Sequence, residues 1–297
     1  MLRVLTLSTL FPDTSRPTFG PFVERQTCAL AARSGVEVEV VAPLGIPPLF
    51  ARHPRYRPLA ALPEREAWHG LTVHRPRFAH LPGNRFDPAL LARALRPLLR
   101  EIRARFPFEV IDAEFFFPDG PAAIALGREF GVPVSIKARG ADIHYWGGRA
   151  PIRRQIVAAG RAADGLLAVS AALKGDMAAL GMPADRIAVH YTGIDRTLFN
   201  VRDRAEAKAA LGVAGPLIVS VGGLIERKGQ QLLIDALGEL PDATLVLIGK
   251  GEARSRYETR AKAAGVADRV RFSGAVPPAT IAGWLAAADV MALPSVS

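Results

Sequence analysis

Three short stretches of this chain gather cations, glycines and a carboxylate at spacings suited to phosphate or sugar chemistry. The first is SVGGLIERKGQQLLIDAL, residues 220–237. A buried strand runs into Gly222 and Gly223, a loop carries Glu226, Arg227 and Lys228, and Gly229 opens a helix. Glycine lets backbone come close to a ligand, a helix start turns unpaired N–H groups toward an anion, and a lysine at the mouth suits a diphosphate. The same strand–loop–helix pattern also arises for structural reasons alone. The second stretch is KARGADIHYW, residues 137–146, in which Lys137, Arg139, Asp142 and His144 converge on Gly140. At the carboxyl end of a strand, a cation there can hold phosphate and a carboxylate can orient a sugar hydroxyl. The alternative is a surface ion pair between Arg139 and Asp142. The third is FPDTSRPTFGPFVERQ, residues 11–26, whose Gly20 precedes a helix and either leaves room for a ligand or supplies a turn.

Other reaction chemistries lack their residues. The chain has no GxSxG, HExxH, P-loop or CxxC pattern, and no DxD to hold a divalent metal against phosphates. His144 and His190 read as hydrogen-bonded structural histidines rather than metal ligands. The single cysteine, Cys28, reads as a small core residue in a reducing, cytoplasmic setting.

These loops need strands and helices to hold them, and the hydrophobic pattern supplies both. Short apolar runs (2–8, 36–43, VIDAEF, VPVSIKA, GLLAVS and IAVHYTG) alternate with amphipathic helices, which predicts an α/β chain with parallel sheets. In 36–43, Glu37 and Glu39 alternate with valines, so one face is read as polar. In the helix 87–106, Leu91, Leu95, Leu98, Leu99, Ile102 and Phe106 share a stripe, and Pro97 is expected to bend it. A polar linker follows IAVHYTG, and the strand–helix alternation resumes at 216–224, so the chain divides into domains 1–197 and 198–297.

With 297 residues, 49% of them hydrophobic, the chain is long enough for two cores, and no apolar run approaches the length of a bilayer span. The net charge is +10, and residues 45–105 hold twelve arginines against Glu64, Glu66, Asp87 and Glu101. This local excess either faces a partner or follows from an arginine-rich composition, 32 arginines to 6 lysines. A nucleic-acid surface is disfavoured, because no aromatic residues interleave with the basic ones as a stacking platform would require.

Taken in order, the landmarks FP..P.FGPFV..Q, RGADIH, AVSAALKGDMAALGMPADRIAVHYTGIDRTLF, VGGLIERKG, LVLIGKGEARSRYETRAKAAGVADRVRFSGAVP and AADVMALPS resemble glycosyltransferase family 4 over essentially the whole chain. That family comprises retaining nucleotide-sugar transferases of GT-B architecture. The resemblance implies two Rossmann-like domains facing across a cleft, with the acceptor held mainly by the first and the nucleotide-sugar by the second. It gives Lys228 the neutralisation of the donor diphosphate and places Gly222, Gly223, Gly249 and Gly251 at the donor. Gly20, Arg139, Gly140, Asp142 and His144 fall on the acceptor side. It implies front-face attack by the acceptor hydroxyl, with no protein nucleophile, metal or cofactor.

The chain departs from the family pattern at three points. Arg139-Gly140 stands where the family has His-Gly, leaving Arg139 as an electrostatic contact only. Gly222-Gly223-Leu224 stands where the family has Gly-Arg-Leu, with Arg227 as the replacement cation. The chain ends at LPSVS, where the family continues into a loop bearing two glutamates. It is therefore expected to be truncated, inactive in isolation and prone to aggregate through an uncovered sheet edge. Because bacterial members often extend lipid-linked saccharides, residues 45–105 are expected to approach an anionic membrane at its cytoplasmic face. Two further readings are a degenerate module that binds a sugar nucleotide or a partner without catalysis, and a GT-B sugar-nucleotide epimerase.

Overall fold

The structure is a computed structural model that describes residues 1–296. The chain divides into two compact units, Met1–Gly193 and Ile194–Ser297.

In the first unit the strands are β1 (Leu2–Leu7), β2 (Val36–Val41), β3 (Leu44–Ile46), β4 (Arg65–Trp68), β5 (Leu71–His74), β6 (Arg77–Ala79), β7 (Val110–Ala113), β8 (Val134–Ala138), β9 (Gly165–Ala168) and β10 (Ile187–Val189). Between them lie α1 (Pro21–Ala31), α2 (Arg57–Ala60), α3 (Asp87–Arg105), α4 (Asp119–Phe130), α5 (Ala150–Ala162) and α6 (Ala171–Ala179). Eight strands form one sheet in the order β10-β9-β8-β7-β1-β2-β5-β4, parallel except for β4, while β3 and β6 make a separate parallel ladder. Strand order reverses on either side of β1, which is the switch point where open α/β sheets bind ligands at the carboxyl ends of their strands.

Packing follows from the apolar pattern. Leu91, Leu95, Leu99 and Ile102 of α3 are buried with Leu5, Leu7 and Ile111 of the sheet. Pro97 lies inside α3 on its exposed side, and the helix runs continuously through it. Gly127 of α4 meets β8 so closely that a Cβ would overlap the Val134 side chain, which sets the distance between helix and sheet. The polar face read into β2 holds only for Glu37, which pairs with Arg3 at 3.0 Å. Glu39 is buried, bound by the Arg105 guanidinium of α3 and, at 3.0 Å, by His74 of β5. An arginine and a histidine from neighbouring elements, both within hydrogen-bonding distance, let a carboxylate occupy an interior strand position that patterning assigns to solvent.

The second unit repeats the plan with α7 (Arg204–Ala210), β11 (Leu217–Val221), α8 (Gln230–Ala236), β12 (Thr244–Ile248), α9 (Arg254–Ala263), β13 (Val270–Gly274), α10 (Pro278–Ala287) and β14 (Val290–Met291). Its four strands are parallel in the order β13-β12-β11-β14. Leu217 and Val219 of β11 and Leu245, Val246 and Leu247 of β12 are fully buried, whereas Val290 and Met291 of the edge strand β14 are half exposed. The helix read as opening at Gly229 appears as α8 followed by a single tighter turn, Leu237–Glu239.

Candidate functional site

In the second unit, β11 delivers the chain into Gly222–Lys228. Three backbone hydrogen bonds stitch this loop to the one after β12: Gly222 N to Ile248 O, Leu224 N to Lys250 O and Ala253 N to Leu224 O. The glycines divide by task. A Cβ on Gly249, whose φ is +151°, would overlap the Gly222 carbonyl, and one on Gly251 would overlap that of Leu224. Those two glycines are required by loop-to-loop packing. Gly222 has ordinary space around it, and Gly223 is exposed, with Lys250 O 3.7 Å from where a Cβ would sit. Gly223 is thus the exposed glycine of the loop at which a ligand can reach the backbone.

Glu226–Lys228 form a single helical turn, and Gly229, in the left-handed region at φ 69°, caps α8. A Cβ on Gly229 would overlap the Pro294 carbonyl, and Val296 N donates to Arg227 O at 2.9 Å. The segment 293–296 therefore lies against this turn and covers part of the helix start that the sequence reading left open to an anion. Two side chains not singled out from sequence hold the loop. Gln230, fully buried, donates from Nε2 to Gly223 O at 3.1 Å, and the Tyr257 hydroxyl of α9 lies 3.1 Å from Ile225 O and 3.0 Å from Gln231 Oε1. Lys228 is half-buried and Arg227 exposed, and among the described residues neither makes an ion pair. Two adjacent cations with no counter-ion among the described residues, on a loop whose backbone is held from several directions, make an arrangement chemically suited to an anion.

In the first unit, the loops after β1, β7 and β8 emerge side by side at the switch point. The 8–20 loop is fixed by Asp13, which accepts from the backbone N–H groups of Ser15 and Arg16 at 2.9 Å and from the Arg16 guanidinium. Burial pushes the Asp13 carboxyl up, but these hydrogen bonds outweigh it and hold the group below the usual carboxylate range. Arg75, buried beneath the loop, donates to Pro12 O at 2.8 Å and to Glu66. Gly20 is left-handed, and a Cβ there would overlap the Leu10 carbonyl, so the turn itself requires glycine.

The loop after β8 departs from its sequence reading. Arg139 and Asp142 do not pair through their side chains. The Asp142 carboxylate is buried and accepts from the backbone N–H groups of Arg139 (3.0 Å), Gly140 (2.7 Å), Ile143 (3.2 Å) and Phe116 (3.0 Å). Its oxygens are thus committed to building the loop and are not free for a sugar hydroxyl. The Arg139 guanidinium is also committed: it pairs with Glu114, donates to Gln26 Oε1 at 2.9 Å and lies over the Phe22 ring. Lys137 Nζ bonds the other Glu114 oxygen at 2.6 Å. Burial raises the Glu114 carboxyl, yet the charges of Lys137 and Arg139 win and hold it below its ordinary value. His144 does not join this group; it is 64% exposed and bonds Asp176 at 2.9 Å. His190 is likewise hydrogen-bonded, 3.3 Å from Gln26 Nε2. Of the four residues read as converging on Gly140, two serve one buried carboxylate, Glu114, one shapes the backbone and one faces solvent. Gly140 itself has open space on its side-chain direction and, at φ 111°, a conformation that favours glycine. Glu114 was legible as a carboxylate ending a buried strand beside Lys137 on its neighbour, a pairing that becomes visible only once strand order is known.

A buried carboxylate, Asp119, opens α4. It accepts from Thr9 N at 2.8 Å, and its second oxygen has no partner among the described residues. Burial, with the nearby Asp142 charge added, pushes its pKa to about 7. Among the described residues no three potential ligands from His, Cys, Asp and Glu gather into a metal site, and no helix is long and apolar enough to cross a membrane.

Comparison with known proteins covers both units. The model for Glycosyltransferase Family 4 matches residues 23–198, and that for Glycosyl transferases group 1 matches residues 201–297. The chain is 27% identical over 307 aligned positions to the glycosyltransferase TuaC of Bacillus subtilis (strain 168), named for teichuronic acid biosynthesis, covering all of this chain and 76% of that one. Among solved structures, sucrose-phosphate synthase from Thermosynechococcus elongatus superposes with TM-score 0.79 at 18% identity, over 99% of this chain and 76% of the other. HepE of Anabaena, in complex with UDP, superposes with TM-score 0.71 at 20% identity, over 100% and 75%. These likenesses show the fold.

Proposed function

Since the chain belongs to glycosyltransferase family 4 and its fold is GT-B, we propose that it moves a sugar from a nucleoside diphosphate sugar to a saccharide or lipid-linked acceptor with retention at the anomeric carbon. The observation that carries this reading is the pair Arg227–Lys228, without an ion-pair partner among the described residues, on a loop that Gln230, Tyr257 and Val296 brace. As the bond from sugar to diphosphate lengthens, negative charge builds on the departing oxygens. Two adjacent cations carried on a braced backbone lie where they can stabilise that charge. Gly223 leaves the backbone accessible beside them. The acceptor hydroxyl attacks from the face the diphosphate leaves, and a departing oxygen takes its proton, so no protein nucleophile, metal or cofactor is required.

The first unit supplies the acceptor side around Gly20 and Gly140. Arg139, Asp142 and Glu114 act there as the frame of the loop rather than as its contacts. The reaction is placed at the cytoplasmic face of a membrane, approached by the basic region 45–105.

The test is a thermal-shift screen of the chain against UDP-, GDP- and ADP-sugars, followed by product analysis with and without added acceptor. A midpoint rise with one donor class, abolished in Lys228→Ala, is the expected result. Donor conversion in the absence of any acceptor gives the epimerase reading instead. A Lys228→Ala variant that binds donor as well as the parent removes the proposal.

A further inference from the structure

Residues 45–105 were read as one basic region, but their arginines fall into two structural classes. Four of the five on α3 serve the fold: Arg96 and Arg100 share Glu129, Arg103 lies over Phe108 and Phe130, and Arg105 holds Glu39, while Arg93 is exposed. Arg52, Arg55 and Arg57 are exposed and, among the described residues, make no ion pair. The stretch 45–63 contains no acidic residue at all. Immediately before these arginines in the same loop stand Leu49, 101% exposed, and Phe50, 49% exposed. Leu49 is also left-handed at φ 67°, a backbone state that costs a leucine energy and that no packing of its own side chain repays.

A second loop joins them. β3 and β6 are parallel neighbours, so the segments that follow them, from residue 47 and from residue 80, leave the ladder at the same end. The second carries Phe86, 56% exposed, with the Arg85 guanidinium over its ring. Both loops are ordered before any partner arrives. Successive turns (Phe50 N to Pro47 O, His53 N to Phe50 O, Tyr56 N to His53 O) wind the first, and Arg77 clamps it through Ala60 O and Leu62 O. Asp87 pins the second by accepting from Asn84 Nδ2 at 3.0 Å and bonding His80 at 2.8 Å.

Resting on the reading that places the enzyme at a membrane, we infer that these two loops form a wedge docking on an anionic phospholipid surface, Leu49, Phe50 and Phe86 entering the interface while Arg52, Arg55 and Arg57 meet the headgroups. Apolar tips beside cations with no ion pair among the described residues, the one carboxylate of the two loops, Asp87, being buried, match the boundary between acyl chains and anionic phosphates. The preformed loops lose little entropy on docking. The arginines of α3 take no part.

The experiment is co-sedimentation of the chain with phosphatidylcholine vesicles, with and without phosphatidylglycerol, at low and high salt and with no sugar donor present. Its failure therefore leaves the transferase reading intact, and loss of turnover leaves this one intact. Binding that requires phosphatidylglycerol and falls with salt is expected. Arg52→Gln, Arg55→Gln and Arg57→Gln should each weaken it roughly fivefold, and Leu49→Ser with Phe50→Ser about tenfold. Arg93→Gln with Arg128→Gln, exposed on α3 and α4, should leave it unchanged. On the unsubstituted chain, hydrogen exchange should slow on vesicle addition at 47–57 and 80–87 alone. Equal binding to neutral vesicles, an equal loss in the Arg93 and Arg128 control, protection elsewhere, or no binding at all overturns the wedge.

Discussion

Replacing Lys228 by alanine removes a charge that no carboxylate among the described residues balances, so stability should hold while chemistry suffers. Turnover should fall by about 100-fold with an unchanged melting midpoint, read by coupled assay and calorimetry on the same preparation. Arg139 should behave in the opposite way. Its guanidinium covers a buried carboxylate that keeps only Lys137 when it is gone, so Arg139→Ala should cost about 2–4 kcal/mol of unfolding free energy in urea titration. Unchanged stability with loss of ligand affinity would instead make Arg139 a ligand contact. Asp119 gives a pH signature. Its pKa, about 7 in the fold, lies above the unfolded value, so the native state binds the extra proton between about pH 4 and 7. The stability present at the acid side of that window is lost as pH rises through it. Asp119→Asn should flatten that descent and leave the variant about 1–3 kcal/mol more stable than the parent at pH 8, as seen in urea midpoints at pH 5 and 8.

The donor loop shows how an element's demands differ from a motif's. Gly249 and Gly251 are glycine because the loop after β12 presses its backbone against that after β11, whereas Gly223 is free of such pressure. Gly251→Ala should therefore destabilise the second unit by about 1–3 kcal/mol, and Gly223→Ala should fold normally and bind donor less well. Circular dichroism melts beside donor titrations separate the two outcomes. The cluster of Glu39, His74 and Arg105 ties β2, β5 and α3 together. Burial opposes the Glu39 charge, but its hydrogen bonds and cationic neighbours lower the pKa to about 2. Because the folded value is depressed, its contribution is present above the unfolded carboxylate pKa and is lost as pH falls toward 2. Glu39→Gln should remove about 2–3 kcal/mol near neutrality and shrink the acid limb of the stability profile.

At the scale of the molecule, each unit has its own buried cluster, and the largely exposed segment 194–203 that opens the second unit ahead of α7 carries Arg196 and Arg202. Limited trypsin should cut there first and leave two protected fragments, as mass spectrometry of the early digest would show. The alternation of apolar runs with amphipathic helices determined, from sequence alone, the α/β class and the strands of the longer apolar runs, but not the short β3, β4 and β6, because side-chain burial repeats with the local backbone period only where the run is long enough to show it. The lysine loop at 226–228 was legible for the same reason, being a local strand–glycine–helix signal. What the tertiary structure decided is who partners whom. Glu114 reached Arg139 and Lys137 only because β7 and β8 lie side by side. Asp142 turned inward to four backbone amides, Arg75 slid under a loop more than sixty residues away in sequence, and one run of arginines was divided between a helix that uses them and a loop that leaves them free. A charge pattern along a chain records how many ions there are, and only the folded neighbours, by desolvating or pairing each one, determine which remain available to bind.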